Sequence, residues 1–157
     1  MTREDIVQEI RKRLGDKIVE WVEKNPRRHY VEVRPADVPA ATRLVFRDLG
    51  ARFQIATGID TPAGIEILYH WAFDGAGFVV TIRTRLDREK PEVESVAAIC
   101  KGAEWIEREM WELLGVTFRN HPDMRHLLLA DDWPAGKYPL RRDFIRNEKG
   151  EWVHAKA

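Results

Sequence analysis

The chain begins with an amphipathic helical pattern and continues with two β-rich runs. Apolar residues recur every four positions behind a start signal at Thr2–Asp5, which predicts a helix that ends at Gly15. Runs 18–22 and 30–33 are rich in β-branched and aromatic residues and flank an Asn-Pro turn signal. They therefore predict a hairpin or two neighbouring strands.

The sequence pattern in the middle of the chain predicts a helix followed by three strands. Asp37 is placed as the N-cap of a helix that reaches Leu49 and ends at Gly50. A glycine-containing turn at 74–77 joins the last two strand-like runs, so an antiparallel meander is expected. The three predicted strands are 51–59, 65–73 and 78–86.

A long helix is predicted from about Glu92 to Leu114, where Gly115 ends it. Apolar residues alternate at steps of three and four along this segment and would form one continuous stripe. The stripe consists of Val96, Ile99, Ala103, Ile106, Met110 and Leu113.

The segment 116–157 shows no reliable helix or strand period, yet it is too rich in large apolar residues for a solvated coil. Ordering a backbone costs about 1–2 kcal/mol per residue, so this segment needs an extensive docking surface, supplied by its own domain or by a partner. The sequence thus predicts an α+β domain over 1–115, with helices packed on a mixed or antiparallel sheet. An extended C-terminal interaction segment, not an independent domain, follows over 116–157.

Composition narrows the possible functions. Charged residues make up 33% of the chain, above the usual share, which suggests a thermophilic protein. The 26 Lys and Arg balance the 26 Asp and Glu, so no global field attracts nucleic acid or an anionic membrane.

Cys100 is the single cysteine, which excludes an internal disulfide, an iron–sulfur cluster or a thiolate zinc site held by this chain alone. A reducing, cytoplasmic setting is expected. The sequence has no signal-peptide pattern and no apolar run of about 20 residues, so it is expected to be neither secreted nor membrane-spanning.

Two histidines are the first candidates for chemistry. His121 and His126 flank Asp123, but their spacing across a proline matches no recurrent zinc pattern, so we interpret them as hydrogen-bonding or contact residues. Gly75 and Gly77 lie between two predicted strands and do not open a helix, so they form a turn and not a phosphate loop.

The predicted long helix carries several carboxylates. Glu104, Arg108 and Glu112 are four residues apart and are expected to form a solvated salt-bridge ladder. Glu107 lies at the edge of the apolar stripe, where a carboxylate requires a partner. We expect an arginine of the C-terminal segment, and expect Glu107→Gln to loosen that segment; the candidates are Arg125, Arg141 and Arg142.

These residues also carry a family resemblance. The run 107–115, Phe118, the His-Pro-Asp turn at 121–123, Arg125 and the run 139–144 follow in the order and spacing typical of one family. The chain resembles the C subunit of respiratory complex I and of its hydrogenase relatives. It departs from the family pattern at Glu112, His126 and Arg142, where Asp, Arg and Lys are common.

The resemblance implies a cofactor-free accessory subunit with no active site of its own, in the hydrophilic arm of an ion-translocating oxidoreductase. Its partners would be the large subunit, which forms the quinone site or carries a nickel–iron centre, and an iron–sulfur small subunit. The chain would lie at the cytoplasmic face and meet the membrane only through the complex.

The resemblance also assigns residues to partner contact and to anchoring of the C-terminal segment. They are Glu107, Arg108, Glu109, Glu112, His121, Pro122, Asp123, Arg125, Trp133, Pro134, Tyr138, Arg141, Arg142 and Asp143.

The run 127–140 is similar to the version found in membrane-bound, energy-converting [NiFe] hydrogenases, so that branch or a ferredoxin-linked relative such as a sulfane reductase is favoured. The C subunit of quinone-type complex I is the alternative. A free-standing metal-dependent hydrolase using His121, Asp123 and Glu107, and a transient assembly factor, are the rival hypotheses.

Overall fold

A five-stranded mixed sheet forms the centre of the protein in the computed structural model, which describes residues 1–155. Its strand order is β1-β2-β5-β4-β3, with β2 and β5 parallel and every other neighbouring pair antiparallel. The predicted hairpin, the meander and the α+β class are confirmed. The strands are β1 Ile18–Asn25, β2 Arg28–Val33, β3 Arg52–Thr61, β4 Gly64–Phe73 and β5 Phe78–Leu86.

Helix α1, Arg3–Leu14, begins at the predicted start signal. The Thr2 hydroxyl accepts the Asp5 N–H at 3.1 Å, and the Asp5 carboxylate accepts the Thr2 N–H at 2.9 Å. This capping box satisfies donors that the first helical turn would otherwise leave free. The apolar face, formed by Ile6, Ile10 and Leu14, is buried in the core.

The second helical region is less regular than predicted. Residues 35–37 form a 3₁₀ turn, α2 covers Val38–Thr42, and Arg43–Asp48 continue as a wider π-helix. Asp37 lies at the N-cap position of α2, as predicted, but its side chain makes no capping hydrogen bond. Its carboxylate pairs instead with Arg34 at 2.8 Å and Lys17 at 3.7 Å.

One face of the sheet builds the core and the other carries charge. Ile65, Ile67, Tyr69 and Trp71 alternate along β4 and are fully buried in one cluster with apolar residues of α1 and of the helix before Gly115. The opposite face carries ion pairs between β5 and its neighbours: Arg83 with Glu32 at 2.6 Å and Arg85 with Glu66 at 3.1 Å.

The long helix predicted over 92–114 is wrong for its first half. Glu92–Glu94 form β6, residues 95–100 form a loop with a turn at 97–99, and 101–103 form a 3₁₀ turn. Only Glu104–Leu114 are α-helical, as α3. Val96, Ile99 and Ala103 are buried as expected, but they do not lie on an α-helix. The apolar periodicity thus predicted correctly that these residues are buried, but it predicted wrongly that their backbone is α-helical.

The C-terminal segment contains short strands where none was predicted: β7 Thr117–Arg119, β8 Phe144–Arg146 and β9 Trp152–His154. β7 pairs in parallel with β6, and β8 pairs with β9. The rest of the segment has no regular secondary structure among the described residues. No helix within residues 1–155 is long and apolar enough to cross a membrane.

Candidate functional site

Glu107 lies at the centre of the candidate site and is fully buried. Its carboxylate accepts the Ser95 hydroxyl at 2.5 Å, the Val96 N–H at 2.9 Å and the Tyr69 hydroxyl at 3.3 Å. The predicted arginine partner is wrong, since neutral donors from β4 and from the loop residues 95–96 occupy both oxygens. The sequence missed Ser95 and Tyr69 because they lie far from α3 along the chain.

Burial raises the pKa of Glu107 from its ordinary 4.5 to about 7, although hydrogen bonds from Ser95, Val96 and Tyr69 lower it and Glu94 raises it. The same environment raises the pKa of Tyr69, through burial first and then through the neighbouring Glu107 charge. Glu107 therefore binds a proton near neutral pH.

Glu112, also on α3, is buried and does not join the predicted solvated salt-bridge ladder. Its carboxylate accepts the N–H groups of Leu127, Leu128 and Leu129 at 3.1, 2.7 and 3.3 Å. The Nδ1 of His126 lies 3.0 Å from the same carboxylate. One side chain thus fixes three successive peptide groups of the C-terminal segment.

Burial raises the pKa of Glu112, but the Leu128 N–H, the His126 side chain and the N–H groups of Leu127 and Leu129 together outweigh it. The resulting pKa lies below the ordinary value. Glu112 is therefore held as an anion that matches its donors.

Arg108, on the same helix, also binds the C-terminal segment. The predicted salt bridges of Arg108 with Glu104 and Glu112 are therefore wrong. Arg108 is buried, and its guanidinium donates to the carbonyl of Arg125 at 2.9 Å and of His126 at 2.6 Å. Arg108 and Glu112 thus bind carbonyl and N–H groups of one continuous stretch, 125–129. A backbone that lacks a sheet or helix partner obtains its hydrogen bonds from these charged side chains.

The His-Pro-Asp turn lies at the start of this attachment. His121 donates from Nε2 to the Glu104 carbonyl at 2.9 Å and accepts the Asp123 N–H on Nδ1 at 3.1 Å. Pro122 lies in the bend between them. Asp123 pairs at the surface with Arg125 at 2.9 Å, and within residues 1–155 no group of three or more His, Cys, Asp or Glu could hold a metal ion.

A second attachment holds the stretch 140–142. The Leu140 N–H donates to the Leu113 carbonyl at 3.0 Å, and the Arg141 guanidinium donates to the Leu114 carbonyl and to the Arg88 carbonyl. The Arg142 N–H donates to the Asp60 carboxylate at 2.8 Å.

Sequence reasoning missed Asp60, which is buried at the end of β3 and pairs with Arg88 at 2.5 Å. The available signal was that Asp60 is the single acidic residue of this strand.

The remaining predicted residues pack around the end of α3. The Tyr138 ring lies so close to Gly115 that a Cβ there would approach it to 2.6 Å. Trp133 donates from its indole N–H to the Lys137 carbonyl at 2.8 Å, and with Pro134 it lines a cavity of about 200 Å³ next to Trp111. Asp143 pairs with His154 at 3.0 Å.

Several large apolar side chains point outward on this attached segment. The exposed fraction is 63% for Leu128, 57% for Leu140 and 54% for Trp152. On α3, Trp105 is 67% exposed. The segment is thus fastened through its backbone, while much of its apolar surface stays open to solvent.

The sequence of the chain matches one protein family. The model of the family described as "Respiratory-chain NADH dehydrogenase, 30 Kd subunit" matches residues 31–149, which is more than half of the chain. The chain belongs to this family, and the resemblance drawn from its motifs is confirmed.

Two curated relatives illustrate the likeness. The C subunit of F(420)H(2) dehydrogenase from Methanosarcina mazei is 41% identical over 56% of this chain and 56% of its own length. The C subunit of NADH-quinone oxidoreductase from Chloroherpeton thalassium is 32% identical over 86% of this chain and 58% of its own length. The chain thus covers less than two thirds of these relatives.

Two solved structures are also similar. A chain of the membrane-bound sulfane sulfur reductase, an archaeal respiratory membrane complex, matches with a TM-score of 0.78 and 28% identity over 90% of this chain and 85% of its own. A trypsin-resistant fragment of Nqo5 matches with a TM-score of 0.60 and 19% identity over 78% of this chain and 99% of its own. The second likeness concerns the fold alone.

Proposed function

We propose that this protein is a non-catalytic accessory subunit of a complex I-like, membrane-bound oxidoreductase, and that it stabilises the large subunit of the hydrophilic arm. One observation carries the proposal: the C-terminal segment is bound to its own domain through buried Arg108 and Glu112, while Leu128, Leu140 and Trp152 face outward. Exposed apolar side chains on an ordered segment are typical of a protein–protein interface.

The side chains that could act as acids or bases in catalysis already form hydrogen bonds within the protein. Glu107 accepts hydrogen bonds from three neutral donors. The His121 ring lies 3.9 Å from the Glu107 carboxylate, and both of its nitrogens bond to the backbone. The single cysteine, Cys100, is buried and cannot supply the several thiolates that an iron–sulfur cluster needs. In this proposal the iron–sulfur clusters, and a nickel–iron centre if present, belong to the small and large partner subunits.

Among such complexes we favour an energy-converting hydrogenase or a related ferredoxin-linked complex, located at the cytoplasmic face of the membrane. The run 127–140 supports this branch, and so does the likeness to the sulfane sulfur reductase chain over most of both lengths. The second candidate is the C subunit of a quinone-type complex I, which the relative from Chloroherpeton thalassium supports.

The test is purification of the native complex through an affinity tag on this chain, from membranes in mild detergent. Native mass spectrometry should find the chain in a one-to-one ratio with a hydrogenase-like large subunit and an iron–sulfur small subunit. Nickel in the large subunit would favour the hydrogenase branch, and its absence the quinone or sulfane branches.

The isolated chain provides the control for this experiment. It should contain no stoichiometric metal and should catalyse no turnover of hydrogen, quinone or hydrolysable esters. Activity or a bound redox cofactor in the chain alone would contradict the accessory role, and failure to co-purify with any large subunit would contradict membership of the complex.

A further inference from the structure

Strand β3 ends the sheet and has a neighbour on one side only. It pairs with β4 from Arg52 to Thr61, and the order of the sheet places no strand beyond it. Within residues 1–155, one hydrogen bond to the β3 backbone lies outside the pairing with β4. The Arg88 guanidinium donates it to the Thr61 carbonyl at 2.7 Å. The outer edge between residues 55 and 59 therefore presents unpaired peptide groups.

The opposite edge strand shows how this fold protects an edge. β1 carries Glu20, Glu23 and Lys24 and has two irregularities in its pairing with β2. Charges and bulges of this kind keep a strand edge from pairing with other chains. β3 has one irregularity, between Phe53 and Ile55, and then runs regularly without a charged residue until Asp60.

An apolar groove runs along this unprotected edge. It has a volume of about 260 Å³ and lies between residues 55–58 of β3 and the α3 side chains Ile106, Glu109 and Leu113. Leu140 also lines it. α3 approaches closely because Gly58 has no side chain; a Cβ there would come within 2.5 Å of Leu114. Ile55 on the strand is 51% exposed.

The charge of the groove is defined by one residue. Glu109 is the single charged side chain in its lining, and within residues 1–155 it makes no ion pair or side-chain hydrogen bond. A carboxylate beside apolar surface is matched by a lysine or arginine of an incoming chain.

We propose that the outer edge of β3 and this groove bind an extended segment of a neighbouring subunit. The segment adds a strand to the sheet, buries apolar side chains against Ile106 and Leu113, and brings a lysine or arginine to Glu109. Main-chain bonds to the free edge provide affinity and the groove provides specificity, as in other cases of strand addition. The inference rests on the proposed function, since it requires the chain to lie in a multi-subunit complex.

Site-specific cross-linking in the native complex tests the proposal. Ile55→Cys, labelled with a photoreactive maleimide, should cross-link to one extended stretch of another subunit, and Val19→Cys on the exposed β1 edge should give a much lower yield. Cys100 is buried, so within this chain it competes little for the label.

Charge reversal supplies the second arm. Glu109→Lys should lower the cross-link yield from residue 55 severalfold, and replacing the captured lysine or arginine by Glu should restore it. Glu23→Lys, an exposed reversal on β1, should leave the yield unchanged.

The outcomes separate the two proposals. A complex that contains the chain but yields no cross-link from residue 55 to another subunit overturns the β3 inference alone. Cross-links between two copies of this chain also overturn it, because the occupant would then be a second copy. Absence of any complex contradicts the proposed function instead.

Discussion

Three charged residues of α3 are buried at once, and each is compensated differently. Glu107 takes hydrogen bonds from neutral donors, Glu112 takes backbone N–H groups, and Arg108 donates to backbone carbonyls. An unpaired buried charge costs several kcal/mol, so each arrangement stabilises the fold. These residues are the ones in the family motif, and the structure gives the motif an internal role in addition to any contact with a partner.

The raised pKa of Glu107 makes stability depend on pH. Between its ordinary value of 4.5 and about 7, the folded protein keeps a proton that the unfolded chain has lost. The free energy of unfolding should therefore fall as pH rises through this window, by at most about 1.4 kcal/mol per pH unit from this group, and level off above it. Glu107→Gln, which resembles the protonated acid, should remove this component.

Chemical denaturation between pH 5 and 8.5 measures the effect. Glu109→Gln on the same helix is the matched control and should keep the wild-type slope. A Glu107→Gln protein that loses stability with pH as steeply as the wild type would show that Glu107 is already ionised in the folded state.

At the scale of elements, the sheet was predictable and the segment before α3 was not. Strands β3, β4 and β5 alternate apolar and polar residues and are separated by turn residues, so local sequence defines them. Residues 95–103 have a helical spacing of apolar residues, but β6 pairs with β7 and the Val96 N–H bonds to Glu107. Those partners come from later in the chain, so no local pattern reveals them.

The β3–β4 hairpin depends on one glycine. Gly64 has a φ of 141°, and a Cβ there would lie 2.4 Å from the Leu86 carbonyl oxygen, which is backbone and cannot move aside easily. Gly64→Ala should therefore lower the free energy of unfolding by about 1–3 kcal/mol.

Thermal and denaturant unfolding test this, with Gly75→Ala in the β4–β5 turn as control, since no atom lies within 4 Å of a Cβ there. Equal stability of the two variants would argue against the close approach at Gly64.

At the scale of the whole molecule, a segment with little regular structure is ordered by an α+β domain. Glu112 is the principal attachment, because it binds three N–H groups, and its amide analogue would turn an NH₂ group toward one or more of them. Glu112→Gln should therefore speed proteolysis and hydrogen exchange of residues 125–129, with the sheet amides protected as before.

Glu109→Gln is again the control and should not change exchange in the isolated chain. Acid should mimic the variant: the lowered pKa of Glu112 means that its contribution is present above about 4.5 and is lost as pH falls through the lower folded value. Protection at 127–129 that is unaffected by both changes would contradict the anchoring role.

Local patterns in the chain were enough to define the N-terminal helix, the hairpin, the meander, the need of Glu107 for a partner and the family motif. These features depend on periodicity, turn residues and spacing, which neighbouring positions encode. Only the folded structure shows which groups form hydrogen bonds with Glu107, Arg108 and Glu112. The same is true of the hydrogen bond between the Arg142 N–H and the Asp60 carboxylate. Those hydrogen bonds join residues that are 11 to 82 positions apart in the sequence. An unpaired polar group is costly in the low-dielectric interior, so the fold must place a partner beside each one. A linear pattern does not specify which residue that partner is.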